Sequence, residues 1–379
     1  MRKTGCKSGG MRYCIRMDAP QLYCHVPFCR NKCAYCAFYS LPGAGREMRR
    51  RYLEKLAAEV AAAHPEPAAS LYFGGGTPSL LEPEELEELF AIFARHAPLL
   101  PGAEISMEMN PETLTPEKVA LIRRHATRAS LGVQSFDPAI RQTLGRDCSQ
   151  AALERALALL READFPHINC DLIYAVPGQT AAGFAADLDR AVAAGADHVS
   201  CYALTPEEGT RLADAKIVPD DDFVADCFLA AGQQLAARGF RRYEISNYAR
   251  PGSECRHNLA VWRGSRLFGF GPAAASYDGA VRFTRPADLA RWLAGEAPEP
   301  DVLEAAARRR EIAAVGLRTT DGWTKERFLA LPGATPEEWE ELHRRTDGLP
   351  TAWFARRGDA LALAEAGLLF WDTVAEAIL

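Results

Sequence analysis

Residues 21–39 read Gln21-Leu22-Tyr23-Cys24-His25-Val26-Pro27-Phe28-Cys29-Arg30-Asn31-Lys32-Cys33-Ala34-Tyr35-Cys36-Ala37-Phe38-Tyr39. A short apolar run predicts a strand, and three cysteines spaced Cys-x3-Cys-x2-Cys follow it. Three thiolates at that spacing suit three irons of a cubane cluster and leave the fourth iron open to a small ligand. Spacing alone keeps two other readings open: a tetrahedral zinc site, completed by Cys24 or His25, and unrelated thiols. A disulfide framework fits poorly, because the chain is large, holds an odd 11 cysteines and carries no secretory signal.

The 379 residues leave room for one large domain and a smaller one, and a hydrophobic content of 48% is that of an ordinary soluble globular protein. A formal charge of −6 gives no electrostatic footprint for nucleic acid, and no apolar run reaches bilayer length. A cytoplasmic location is expected. Residues 1–16 carry Arg2, Lys3, Lys7, Arg12 and Arg16 without an acid, a Ser8-Gly9-Gly10 stretch, and no apolar core of the kind a signal peptide needs. Residues 1–19 are expected to be a disordered tail or an over-extended start, with Met11 or Met17 the true first residue, which removes Cys6 and Cys14 from the ligand candidates.

From Gln21 onward, β-branched and aromatic runs alternate with longer amphipathic stretches, the pattern of βα units around a parallel sheet. Strands are expected near 21–26, 70–73, 103–109, 128–133, 167–174 and 197–203. Helices are expected near 46–63, 83–96, 115–125, 149–163, 180–194 and 220–238, with starts such as Glu82-Pro83-Glu84 and Thr115-Pro116-Glu117. Six such units make an incomplete barrel, whose functional groups gather at the carboxyl ends of the strands.

Polar residues stand at those ends. Gly74-Gly75-Gly76-Thr77-Pro78-Ser79 follows the second strand, Glu108-Met109-Asn110 ends the third, Gly132-Val133-Gln134 the fourth, and Asp171 lies in the fifth. Consecutive glycines let backbone amides approach a ligand closely. Polar strand ends are costly in a packed barrel unless they face a ligand or a partner.

Together with Tyr23 and with Arg146 in Leu144-Gly145-Arg146, these residues resemble the radical S-adenosylmethionine (SAM) superfamily. More narrowly, they resemble its HemN/HemW branch, which holds oxygen-independent coproporphyrinogen III oxidases and haem chaperones. The similarity runs from about Leu22 to the C-terminus. It implies a [4Fe-4S] cluster on Cys29, Cys33 and Cys36, its open iron chelated by SAM. Tyr35 would pack beside the adenine, and Gly75, Gly76 and Thr77 would meet the methionine moiety. Tyr23, Glu108, Gln134, Arg146, Asp171 and Ala275 would line the rest of the SAM pocket. Reduction through the cluster would cleave the sulfonium to a 5′-deoxyadenosyl radical, the cofactor carrying the hard chemistry.

Within that branch the oxidase carries a fourth cysteine two residues past the third, where this chain has Phe38, and a longer N-terminal extension; fewer than thirty residues precede Cys29 here. The segment Tyr243-Glu244-Ile245-Ser246-Asn247-Tyr248, leading into Cys255-Arg256-His257-Asn258-Leu259-Ala260-Val261-Trp262, is similar to the chaperones' haem-binding His-Asn-x-x-Tyr-Trp motif. His257 would contact haem iron and Trp262 would cover a porphyrin face, although His257 read alone fits a structural histidine equally well and Cys255 offers a second thiolate. Two departures stand out: Val261 replaces the motif's Tyr, and in Gly269-Phe270-Gly271-Pro272-Ala273-Ala274-Ala275-Ser276 the family's histidine is Ser276.

The expectation is therefore an α/β chain with a partial (β/α)6 radical SAM barrel over 20–240. A connecting segment with the haem-binding-like motif spans 241–300, and a small, mainly helical C-terminal domain spans 301–379. Its implied work is that of a haem chaperone, binding haem, cluster and SAM and delivering haem to respiratory haemoproteins, with transient peripheral membrane contact and a homodimer both admitted. The alternatives are coproporphyrinogen III oxidation and radical SAM chemistry on another substrate.

Overall fold

A computed structural model describes residues 19–355 and 358–379. The expectations for the N-terminal tail, with Cys6, Cys14, Met11 and Met17, fall outside the described residues. The βα alternation is present strand by strand: β1 (Gln21–Val26), α1 (Arg46–Ala63), β2 (Ala68–Gly75), α2 (Pro83–His96), β3 (Leu99–Met109), α3 (Pro116–His125), β4 (Arg128–Gln134), α4 (Gln150–Glu162), β5 (His167–Tyr174), α5 (Ala181–Ala193), β6 (His198–Ala203) and α6 (Asp221–Ala237). Helix starts follow from local chemistry. Glu82 and Glu85 close a capping box ahead of α2, and Thr115, Ser149, Thr180 and Asp220 each accept a backbone N–H of the first turn of the next helix.

Later strands extend this sheet at both edges. β7 (Asn247–Ala249) lies antiparallel to β6, followed by Arg241–Arg242; β8 (Leu267–Phe270) lies parallel to β1, and β9 (Ala275–Tyr277), β10 (Arg282–Thr284) and β11 (Glu299–Asp301) follow antiparallel. The order is β11-β10-β9-β8-β1-β2-β3-β4-β5-β6-β7, then Arg241–Arg242, in a 12-stranded sheet. Among the described residues the two edges do not pair, so the barrel is partial. The helix α7 (Arg256–Trp262) follows β7 in the chain and packs against β1 and β2, and the chain after 301 is mainly helical, beginning with α8 (Ala305–Gly316).

The period of two along each strand sorts the two faces. Outward go Leu22, Cys24 and Val26, Leu71 and Phe73, Met107 and Met109, Ala129 and Leu131, Cys170 and Leu172, Val199 and Cys201, all in one buried apolar cluster with the helices. Phe73, for example, packs edge-on against Phe90 and Phe93 of α2, ring centroids 5.4 and 5.2 Å away. The other face is mostly polar: Tyr23 and His25, Ser70 and Tyr72, Glu104, Ser106 and Glu108, Arg128 and Ser130, Asn169 and Asp171, His198 and Ser200. Register places these side by side, as in the rows Tyr23, Tyr72, Ser106, Arg128 and Glu108, Ser130, Asn169, His198.

A polar interior must satisfy itself. Glu104 pairs with Arg128 at 3.2 Å, both fully buried, while Asn169 donates to Ser130 and Asp171 and its Oδ1 accepts from His198 Nδ1 at 2.7 Å. Attraction to Arg128 and backbone N–H groups holds Glu104 below the usual carboxylate range despite its burial. Arg128, the first residue of β4, also donates to the carbonyls of Ser253 and Glu254, so the lead-in to α7 is fastened at the amino ends of the strands.

Candidate functional site: two adjoining cavities

Past β1, Phe28 and Cys29 pair with Leu41 and Pro42, which closes the base of the cysteine loop. The loop is then fastened across the barrel mouth: Ala34 N–H donates to Leu144, Leu212 N–H donates to Ala34, and Arg211 donates to the Lys32 carbonyl. Cys29, Cys33 and Cys36 are half-buried, and burial pushes the Cys29 and Cys36 thiols upward. A chain of polar contacts joins two of them. Cys29 Sγ lies 3.4 Å from Thr77 Oγ1, Asn110 donates to that same oxygen at 2.8 Å, Arg146 donates to Asn110 Oδ1, and Arg146 Nη1 reaches Cys33 Sγ at 3.8 Å.

The glycine turn fits against this loop with no spare space. A Cβ on Gly76 would stand 2.8 Å from the Phe28 backbone, and a Cβ on Gly75 2.5 Å from the His25 ring. Neither Cys24 nor His25 reaches the cysteines. Cys24 is buried on the outer face with its sulfur 3.5 Å from Tyr52 Oη, and His25 spends both ring nitrogens on Tyr23 Oη and the Tyr39 carbonyl. Among the described residues no three His, Cys, Asp or Glu side chains form a single-ion site. Cys24 and His25, the two residues considered for completing a zinc site, are thus both engaged elsewhere.

Behind the cysteines lies a cavity of about 350 Å³ lined by Cys29, Cys33, Cys36, Tyr35, Gly75, Gly76, Thr77, Glu108, Gln134, Arg146 and Asp171. Glu108 accepts from Tyr72 Oη at 3.0 Å and from Gly75 N–H at 3.1 Å. Burial and then the neighbouring Asp171 carboxylate raise it to about 7. Burial also raises Asp171, against hydrogen bonds from Ser200, Asn169 and Ser130. Gln134 holds φ +66° where the β4–β5 register slips, a left-handed conformation that a non-glycine residue keeps only where its surroundings impose it. Tyr72, Asn110, Ser130 and Tyr202 also line it. Of these, Tyr72, Ser130 and Tyr202 had no motif to announce them. Their signal was the polar residue at every second position of an otherwise apolar strand.

A second cavity, about 740 Å³, lies beside β1. Its lining includes His257, Asn258, Val261 and Trp262 of α7, Tyr23 and His25 of β1, Lys32 and Ala37–Ser40 of the cysteine loop, and Ala273 and Ala275. Tyr23 and Ala275, expected in the SAM pocket, thus line this second cavity and are absent from the lining of the first. Phe38 and Ser40 border both.

His257 is 6% exposed, and its hydrogen bonds determine its tautomer. Gln21 Nε2 donates to the Ala19 carbonyl, so Gln21 Oε1 receives the Ser70 hydroxyl proton; Ser70 Oγ, 2.7 Å from His257 Nδ1, must then accept from it. The imidazole is neutral, with the Nε2 lone pair uncommitted among the described residues. Burial lowers its pKa to about 4. Glu104 holds the helix that carries it, accepting the N–H groups of Arg256 and His257. Cys255 is engaged elsewhere: it is buried against Glu104, 3.5 Å away, and burial raises its thiol far above the usual range. Trp262 carries Arg318 over its ring at 4.8 Å. Ser276, in place of the family's histidine, accepts the Gly269 N–H and ties β9 to β8.

Comparison with known proteins matches this geometry to a family. Residues 23–191 match the Radical SAM superfamily. The Heme chaperone HemW of Mycobacterium tuberculosis is 40% identical over 381 residues, covering 94% of each chain. That of Synechocystis is 34% identical, covering 83% of this chain and 81% of its own. The chain belongs to the HemW family. The solved structure of coproporphyrinogen III oxidase (HemN) from Escherichia coli superposes with a TM-score of 0.82 over 96% of this chain and 91% of that one; at 21% identity it shows the shared fold. Radical SAM membership of the HemW family implies a [4Fe-4S] cluster and SAM. The first cavity suits them: three free thiols at its mouth, a guanidinium with a buried Nε lacking a hydrogen-bond partner, and a turn that tolerates no Cβ. No helix among the described residues is long and apolar enough to cross a membrane.

Proposed function

We propose that this chain is a haem chaperone that takes haem into the second cavity and passes it to haem-requiring respiratory proteins. The observation that carries the reading is the imidazole of His257, kept neutral by burial, its Nδ1–H on Ser70 and Nε2 free, on the wall of a cavity also lined by Trp262, Tyr23, Tyr39 and Phe38. A neutral imidazole is the form that ligates iron, and aromatic walls suit a porphyrin face. Lys32 lines the same cavity as a cation for propionates.

Cys29, Cys33 and Cys36 would hold the cluster, which supplies a redox centre with one iron open to a chelating ligand. Around the first cavity, Glu108 and Asp171 offer acceptors to ammonium and hydroxyl groups, while Gly75, Gly76 and Thr77 bring backbone within reach of the ligand. Tyr35, Gln134 and Arg146 line the remainder. Tyr23 and Ala275 serve the haem side.

The test is anaerobic reconstitution of the cluster followed by haemin titration of wild type and His257→Ala, read at the Soret band, with coproporphyrinogen III turnover on the same preparation. Stoichiometric binding that is lost in His257→Ala, without decarboxylation, is expected. SAM-dependent decarboxylation would replace the chaperone reading with the oxidase.

A further inference from the structure

One face of β2 connects the two cavities. Ser70, Tyr72 and Gly74 follow one another at i, i+2 and i+4, so their side chains point the same way. Ser70 receives His257 Nδ1. The Tyr72 ring lies 5.1 Å from the His257 imidazole at 33°, and its hydroxyl donates to Glu108 Oε1 at 3.0 Å inside the first cavity. The next residues clamp that carboxylate from the other side. Gly75 N–H donates to Oε2 at 3.1 Å, and a Cβ on Gly74 would already stand 3.0 Å from the carboxyl atoms. The Tyr23 ring stacks beside the Tyr72 ring at 6.3 Å and 27°. Glu108 therefore has little room to move independently of Tyr72, and Tyr72 little room to move independently of His257.

We propose that Tyr72 is a positioning residue through which the two cavities are thermodynamically coupled, so that SAM in the first tightens haem binding in the second, and the reverse. This rests on the haem reading given above. A cationic or hydroxyl-bearing ligand that engages Glu108 favours this clamped arrangement of the carboxylate over any other. The carboxylate fixes the Tyr72 hydroxyl, and the ring, packed on the imidazole, holds His257 in its ligating position before haem arrives. Ordering paid for by the first ligand is not required again by the second. Linkage makes the effect equal in both directions. The cysteine loop also borders both cavities through Phe38 and Ser40, but that contact survives in Tyr72→Phe, so the variant separates the two routes.

The experiment is haemin titration of cluster-reconstituted protein with and without saturating SAM, and SAM titration with and without haemin, for wild type and Tyr72→Phe. In wild type each ligand should tighten the other by at least about fivefold, the lower end of typical coupling, with a shift of the Soret maximum on SAM addition. In Tyr72→Phe the affinity for SAM by itself should fall, because Glu108 loses a hydrogen bond, while the enhancement each ligand gives the other drops below about twofold and the Soret shift disappears. Equal haem affinity with and without SAM in a wild type that binds both, or enhancement undiminished in Tyr72→Phe, overturns the coupling alone. A variant whose haem affinity collapses without SAM also overturns it, since Tyr72 would then be part of the site. Failure of wild type to bind haemin overturns the haem reading and the coupling with it.

Discussion

Arg146 stands with Nη1 3.8 Å from the sulfur of Cys33 and Nη2 on the carbonyl of Gly132, so the cation facing the cysteine loop is anchored on β4 rather than on the strand that carries the cysteines. The loop and the far wall of the cavity are thereby joined. Arg146→Met removes that charge and leaves Asn110 Oδ1 and the Gly132 carbonyl without their donor. Stability should fall by about 2–4 kcal/mol, as for buried groups left unpaired, and iron bound after reconstitution should drop well below wild type. Denaturant unfolding and iron content measure the two effects; wild-type values for both would remove Arg146 from the site.

Gly76→Ala tests the fit of the glycine turn. Its new Cβ meets the backbone of Phe28, which cannot swing aside as a flexible side chain can. The strain should open the contact between the turn and the cysteine loop, with cluster content reduced while far-ultraviolet circular dichroism stays that of the wild type. Full iron and sulfide content in this variant would contradict the packing described.

The depressed pKa of His257 predicts a flat haem-binding profile. An ordinary imidazole protonates near pH 6.5 and would lose its iron ligand there. Here the neutral form persists down to about 4, so haemin affinity should be unchanged between pH 8 and pH 5.5. The same group contributes stability above the unfolded-state pKa near 6.5, and that contribution is lost as pH falls toward about 4. A haem affinity that halves near pH 6.5 would place His257 in open solvent.

Glu108 has the opposite sign. Its folded-state pKa is raised to about 7, so the folded chain holds this proton more tightly than the unfolded chain does. Its contribution to stability is complete below about pH 4.5 and is lost as pH rises through about 7, a change of about 3 kcal/mol at 1.4 kcal/mol per unit. Glu108→Gln should flatten that part of the stability profile of the ligand-free protein. Affinity for the cation SAM should rise over the same interval in wild type, and unchanged SAM affinity between pH 6 and pH 8 would count against contact with Glu108.

Much of the fold was legible along the chain because each βα unit announces itself locally. β-branched and aromatic runs mark β1 to β6, and the helix starts read at Glu82 and Thr115 do act as caps. The strand-end residues Glu108, Gln134 and Asp171 do share one cavity. Tyr23 and Ala275 were expected beside them and line the other cavity instead. Alternation along β1 states that Tyr23 faces inward, but not which part of the interior it faces; that depends on the pairing of β1 with β8, brought in from almost 250 residues downstream.

Spacing and period along the chain marked the cysteine loop, the βα units and the polar strand ends, because those features depend on residues within a few positions of one another. The juxtaposition of His257 with Ser70 and Tyr72 was decided by tertiary structure. Glu104 and Arg128 hold α7 and its lead-in from strands far away in sequence. A histidine's tautomer and free nitrogen follow from which partners surround it, and no local pattern encodes partners 187 residues apart.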